Sequence, residues 1–196
     1  MSSAGGLLIA IVGPSGSGKD SLIRWLQENN DADFPLRFVR RYITREDVDG
    51  HEDSIAVTHD DFDKLKKDGE LAVSWEAHGL KYGLPRSSLD DVIAGHLVVV
   101  NGSRQALLVI SEAFPNMLVI NLQVERSELV RRLSERGREN PAEVAKRLGR
   151  SDIRISDQFD CVTIDNSGPL DHTGNRVLKA VKNHLAHRAE LAGAQS

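Results

Sequence analysis

The stretch Gly13-Pro14-Ser15-Gly16-Ser17-Gly18-Lys19-Asp20-Ser21 constrains this chain more than any other. It follows an apolar run, Leu7 to Val12, and leads into a helical pattern through Leu22, Ile23 and Leu26. A strand, a glycine-rich turn and a helix start form a phosphate cradle. Glycines let backbone N–H groups approach an anion, the helix N-terminus adds partial positive charge, and a lysine reaches the anion's oxygens. The loop fails the dinucleotide fingerprint, because Gly16-Ser17-Gly18 is followed three residues later by Ser21 instead of glycine.

The rest of the chain carries a matching rhythm. Apolar runs at Leu97 to Val100, Leu118 to Leu122 and Val162 to Ile164 predict short buried strands of parallel type. Between them, Ser87 to Ala94 predicts a helix with Ser87 as N-cap and Gly95 as its stop, and Ser103 to Phe114 another ending before Pro115. This alternation predicts an α/β fold, a parallel sheet flanked by helices. From about Arg37 to Leu84 the rhythm breaks into short extended pieces and a helix around Asp61 to Lys67, which reads as an insertion. Ser127 to Gln158 is charged and helical, divided by Gly137 and Pro141, and Val177, Leu178, Val181 and Leu185 mark a last amphipathic helix.

Composition narrows the classes of function. A chain of 196 residues fits one domain with a small insertion. Its net charge of -4, with a pI near 6.0, argues against a broad nucleic-acid surface. The lone Cys161 makes no internal disulfide and suits a reducing compartment, the cytoplasm. The first apolar run lacks a basic flank and no run approaches a membrane span, so neither export nor a membrane is expected. The seven histidines show no zinc-site spacing; His184 and His187 read as a solvated helix face. Oligomeric state is not legible.

The loop resembles a Walker A sequence through Gly13, Gly18 and Lys19, but Asp20 stands where Ser or Thr normally supplies a hydroxyl to magnesium. Asp20 either binds the cation directly or is a first-turn acid favoured by the helix dipole, with Ser21 as the fallback hydroxyl. Together with Thr44-Arg45, Tyr82-Gly83 and Arg132-Leu133-Ser134-Glu135-Arg136-Gly137, in order and spacing, the loop resembles the guanylate kinase family over about Leu7 to Leu185. That resemblance implies a single kinase domain of the P-loop nucleoside-triphosphate hydrolase fold with ATP and Mg2+ as cofactors. Its parts would be a core of residues 1–36, 85–126 and 159–188, an acceptor-binding insertion at 37–84, a helical lid at 127–158 and a loose tail at 189–196.

Base recognition departs from that family. Trp75 stands where a guanine-binding acid is usual, Asn101 replaces a strand-end Asp, and Val48 replaces a second arginine. Losing polar groups of this kind removes the means to specify guanine. With Gly18-Lys19-Asp20-Ser21 and Arg40-Arg41-Tyr42-Ile43-Thr44-Arg45, these departures resemble the ribose 1,5-bisphosphate phosphokinase branch of the same superfamily. The branch implies transfer of the ATP γ-phosphoryl to the 1-phosphate of a small sugar bisphosphate, giving 5-phospho-α-D-ribose 1-diphosphate and ADP, in phosphonate degradation. Two other readings stay open: a guanylate kinase with unusual base recognition, and a non-catalytic binding module on a guanylate-kinase-like fold.

The resemblance also implies roles. Lys19, Arg132, Arg136 and Arg147 would neutralise the transferring phosphate, Gly13 to Ser21 would cradle ATP, and Asn166 would border the adenine unless it is a plain turn. Arg41, Arg45, Trp75, Glu76 and Tyr82 would hold the acceptor. Each has an ordinary alternative: Arg40 and Arg41 alternate along a strand and cannot both face a ligand, Glu76 is equally a surface acid, and Glu128 is spaced to pair with Arg132. A phosphate acceptor is already ionised, so the chemistry needs alignment and charge neutralisation but no general base.

Overall fold

The computed structural model describes residues 5–45, 54–77, 79–135 and 154–194. Among them the strands form two sheets. The larger has the order β2-β7-β1-β8-β9 and the smaller β4-β3-β6-β5. The chain divides into two compact units, one of residues 1–10 and 30–117, the other of 11–29 and 118–196. Strand β1 (Leu7–Val12) contributes to both, and every one of its residues is fully buried, as the unbroken apolar run requires.

The first unit holds one edge of the larger sheet and the whole smaller sheet. Strand β2 (Leu36–Val39) pairs parallel with β7 (Leu97–Asn101), in register Leu36 with Leu97. Residues 37–39, which the sequence assigned to the insertion, therefore belong to the larger sheet. This strand escaped the sequence reading because it is an edge whose Arg37 is exposed and ion-paired with Asp91. Strands β3 (Arg41–Ile43), β4 (Ser54–Ala56), β5 (Leu71–Ala77) and β6 (Leu80–Pro85) build the smaller sheet, with β3 antiparallel to β6 and parallel to β4.

Helix α2 (His59–Lys67) packs against the smaller sheet. Thr58 caps it by accepting the Asp61 N–H at 3.1 Å, Phe62 is buried, and Asp63 meets Lys81 of β6 at 2.5 Å. Helix α3 (Arg86–Ile93) starts from Pro85 rather than a serine cap; the Ser88 hydroxyl donates to the Pro85 carbonyl instead. A 3-10 turn, Arg104–Ala106, precedes α4 (Leu107–Ala113).

In the second unit β1 leads through the glycine loop into α1 (Lys19–Glu28), and β8 (Met117–Gln123) pairs parallel with β9 (Cys161–Asp165). Helix α5 (Arg126–Glu135) follows β8, and α6 (Leu170–Gly193) packs on α1 and β9. Helix α6 continues to Gly193, through residues read from sequence as the start of a loose tail. The helix expected to extend to Gln158 does not: residues 154–158 are irregular, and Gly137 and Pro141 lie outside the described residues. Among the described residues no helix is long and apolar enough to cross a membrane.

Candidate active site

The second unit places the glycine loop where β1 ends and α1 begins. Gly18 adopts φ 85° and ψ 22°, a left-handed conformation that glycine takes without penalty. A Cβ on Gly18 would also lie 2.6 Å from Asn166 Nδ2, so the close approach excludes a side chain on both counts. The Lys19 ammonium donates to the carbonyls of Gly13 at 3.1 Å and Pro14 at 3.0 Å, which keeps it folded over the loop.

Do these groups suit a polyphosphate? No side chain caps α1, and the Ser17 hydroxyl is buried without a hydrogen-bond partner among the described residues. The start of α1 and the glycine loop therefore keep groups that are not committed to capping, which fits the triphosphate of a nucleotide. Asp20 is half-buried in the first turn of α1 and Ser21 is exposed. Among the described residues no three His, Cys, Asp or Glu side chains gather as a metal cage.

Asn166, at the end of β9, joins this loop to α5. Its side-chain amide donates to the Ser17 carbonyl at 2.7 Å, its backbone N–H donates to Gln123 at 2.8 Å, and its carbonyl accepts Arg132 Nη2 at 2.8 Å. The turn is fixed on either side: Asp165 Oδ1 accepts both the Ser167 N–H at 3.0 Å and the Ser167 hydroxyl at 2.6 Å. These bonds hold the Asp165 carboxyl below its ordinary range, chiefly through the hydroxyl.

Arg132 Nε meets Glu128 Oε1 at 2.7 Å, and Arg131 grips the same carboxylate through Nε at 2.8 Å and Nη2 at 2.7 Å. Hydrogen bonds from Arg131 and then Arg132 depress the Glu128 pKa from 4.5 to about 2. Arg136 and Arg147 lie outside the described residues.

The first unit carries the second cluster. Tyr82 stands opposite Ile43 on one side and Trp75 on the other, so the three share one face of the smaller sheet. Trp75 and Tyr82 stack with centroids 5.6 Å apart and planes 8° from parallel. Arg41 lies on the same face, its guanidinium 5.2 Å from the Tyr82 centroid and its Nη1 donating to the Asn101 carbonyl at 3.1 Å. Its Nε is buried with no hydrogen-bond partner among the described residues.

Strand alternation sends other residues elsewhere. Glu76 is exposed and registers with Lys81, on the opposite face from the stack. Arg40 is exposed and donates to the Ser54 carbonyl at 2.7 Å. Arg45, just past β3, is exposed and lines a cleft of about 750 Å3 with Tyr42, Thr44 and Lys64. Val48 lies outside the described residues.

Sequence reasoning missed two connections. The Asn101 carbonyl that holds Arg41 is a backbone group and leaves no mark in the sequence. Arg131, three residues beyond Glu128, is a second partner that the same helical spacing allows alongside Arg132.

A family model described as an AAA domain matches residues 9–155. Ribose 1,5-bisphosphate phosphokinase PhnN of Agrobacterium fabrum is 39% identical over 175 residues, covering 89% of this chain and 96% of its own. The protein of the same name from Pseudomonas fluorescens is 41% identical, covering 88% of this chain and 93% of its own. Among solved structures, guanylate kinase from Anaplasma phagocytophilum matches with a TM-score of 0.67 at 20% identity, over 93% of this chain and 87% of its own. That likeness is one of fold. The near full-length identity goes further: the chain belongs to the ribose 1,5-bisphosphate phosphokinase family.

Proposed function

We propose that this protein transfers the γ-phosphoryl group of ATP to the 1-phosphate of ribose 1,5-bisphosphate, yielding 5-phospho-α-D-ribose 1-diphosphate and ADP. A 1-phosphate oxygen forms the new bond to the γ phosphorus as the β–γ bridging P–O bond breaks, and ADP leaves with that bridging oxygen. Both nucleophile and leaving group are phosphate oxygens, so the residues align and neutralise charge instead of moving a proton.

Within the molecule, the observation that carries the acceptor half is Arg41, fixed by the Tyr82 ring and the Asn101 carbonyl with its Nε uncommitted. A pre-placed guanidinium suits a phosphate, and the Trp75–Tyr82 stack fills with indole the place where a base-reading acid would stand. Arg45 serves as a second acceptor cation, whereas Glu76, on the opposite face of the sheet, takes no part in holding the acceptor.

The glycine loop from Gly13 to Ser21 takes the ATP phosphates, with Lys19 on the β and γ oxygens and Arg132 on the transferring group. Arg136 and Arg147 are assigned the same work on the family resemblance alone. Asp20 or Ser21 would hold magnesium beside the phosphates, where the ion would supply charge neutralisation. The reaction is placed in the cytoplasm, in phosphonate degradation, within one kinase domain having an acceptor-binding insertion and a helical lid.

The deciding experiment is a coupled ADP-release assay with magnesium ATP, comparing ribose 1,5-bisphosphate with GMP and identifying the product by mass. Turnover of the sugar bisphosphate alone is expected. Turnover of GMP would overturn the acceptor assignment, and no turnover with either would favour a binding module.

A further inference from the structure

We infer that Asn166 is a positioning residue that holds the phosphate loop and Arg132 in one fixed arrangement, and is not a reader of the nucleotide base. The inference rests on the reading above that the glycine loop takes the nucleotide's phosphates. It departs from that reading's family expectation, in which Asn166 borders the adenine.

The side-chain amide of Asn166 is buried and donates to the Ser17 carbonyl at 2.7 Å. In a trans peptide the carbonyl and the following N–H lie in one plane and point in opposite directions. Drawing the Ser17 carbonyl onto Asn166 therefore turns the Gly18 N–H away from Asn166. Without that bond, the carbonyl is free to rotate towards a bound anion and repel it. Asn166 thus supports the loop's polarity as well as its shape.

The tight packing around this bond reinforces it. The left-handed φ of 85° at Gly18 and the 2.6 Å that would separate a Cβ there from Asn166 Nδ2 show the amide seated directly against the loop. On its other side, the Asn166 carbonyl receives Arg132 Nη2 at 2.8 Å, and Arg132 Nη1 lies 3.6 Å from the same Gly18 Cβ position. One residue therefore sets both the loop and the arginine beside it. Its own place is fixed by the Gln123 carbonyl and by the Asp165–Ser167 turn.

A ligand without a base separates bracing from base recognition. Binding of ATP and of inorganic tripolyphosphate, each with magnesium, is measured by calorimetry for the wild-type protein, Asn166→Ala and Asn166→Asp. Removing the donor leaves the Ser17 carbonyl without a partner, and both ligands are expected to weaken by a similar factor of about tenfold. The ratio of ATP to GTP turnover should stay the same while both rates fall.

Weakening of ATP alone, or a changed ATP-to-GTP ratio, would make Asn166 a base reader and overturn the proposal. Unchanged binding of both ligands would overturn it too. If the wild-type protein bound neither ligand, the phosphate-loop reading itself would fall, a result separate from any variant's behaviour. Asn166→Ser, which keeps a shorter hydroxyl donor, covers failure of the other variants to fold and should retain part of the tripolyphosphate affinity; affinity equal to that of a donorless variant would count against the brace.

Discussion

A carboxylate held by two neighbouring guanidiniums on one helix has a fixed electrostatic consequence. Glu128 meets Arg131 and Arg132 at 2.7 to 2.8 Å, and those bonds lower its pKa from 4.5 to about 2. Because the folded value is the depressed one, the stabilisation is fully present above pH 4.5 and is lost as pH falls towards 2. Carbon-detected NMR titration of the folded protein should therefore give a Glu128 midpoint near 2; a midpoint near 4.5 would mean the pair does not persist in solution. The activity profile near neutral pH should show no inflection from this group. The spacing of Glu128 and Arg132 was legible, since residues four apart share a helix face. The three bonds of Asn166 were not, because two of them use its backbone and the third ends on a carbonyl far away in the chain.

At the scale of elements, the apolar strands were the most legible part of the fold. Leu7 to Val12 is a strand over its full predicted length, and the runs around Val99, Ile120 and Val162 grew by only a residue or two at their ends. Buried parallel strands announce themselves by continuous Val, Ile and Leu, whereas the edge strand β2 and the short β3 carry arginines that blur the pattern, and β4 spans only three residues. Helix packing leaves a subtler trace in Gly174. A Cβ there would lie 2.1 Å from the Trp25 ring, so α6 can seat against α1 only because position 174 lacks a side chain. Gly174→Ala must push Trp25, and with it α1, out of place. Overpacking of this kind costs about 1–3 kcal/mol, which outweighs the gain of under about 1 kcal/mol from replacing glycine within a helix. Urea denaturation should show a net loss of stability. An unchanged or raised midpoint would mean that the indole repacks freely.

Across the whole molecule, the two units carry different parts of the proposed chemistry, and their variants should fail in different ways. The Lys19 ammonium, the loop and Arg132 belong to the second unit, while Arg41, Trp75 and Tyr82 belong to the first. The loop was legible from sequence because its chemistry demands glycines and a lysine at set spacing in one continuous stretch. The acceptor cluster was only half legible, since Arg41, Trp75 and Tyr82 come from three strands and meet through sheet register, while Glu76 falls on the opposite face by the same register. Lys19→Ala removes charge stabilisation that strengthens as the phosphate transfers, so kcat should fall by about 10^2–10^3 with little change in the acceptor KM. Arg41→Ala removes a cation that binds the acceptor before and during transfer, so the acceptor KM should rise about tenfold or more while the ATP KM stays fixed. Steady-state kinetics with each substrate varied in turn distinguishes these outcomes. If Arg41→Ala changed the ATP KM and left the acceptor KM unchanged, the cluster of the first unit would not be the acceptor site, and the stacked Trp75 and Tyr82 would be packing alone.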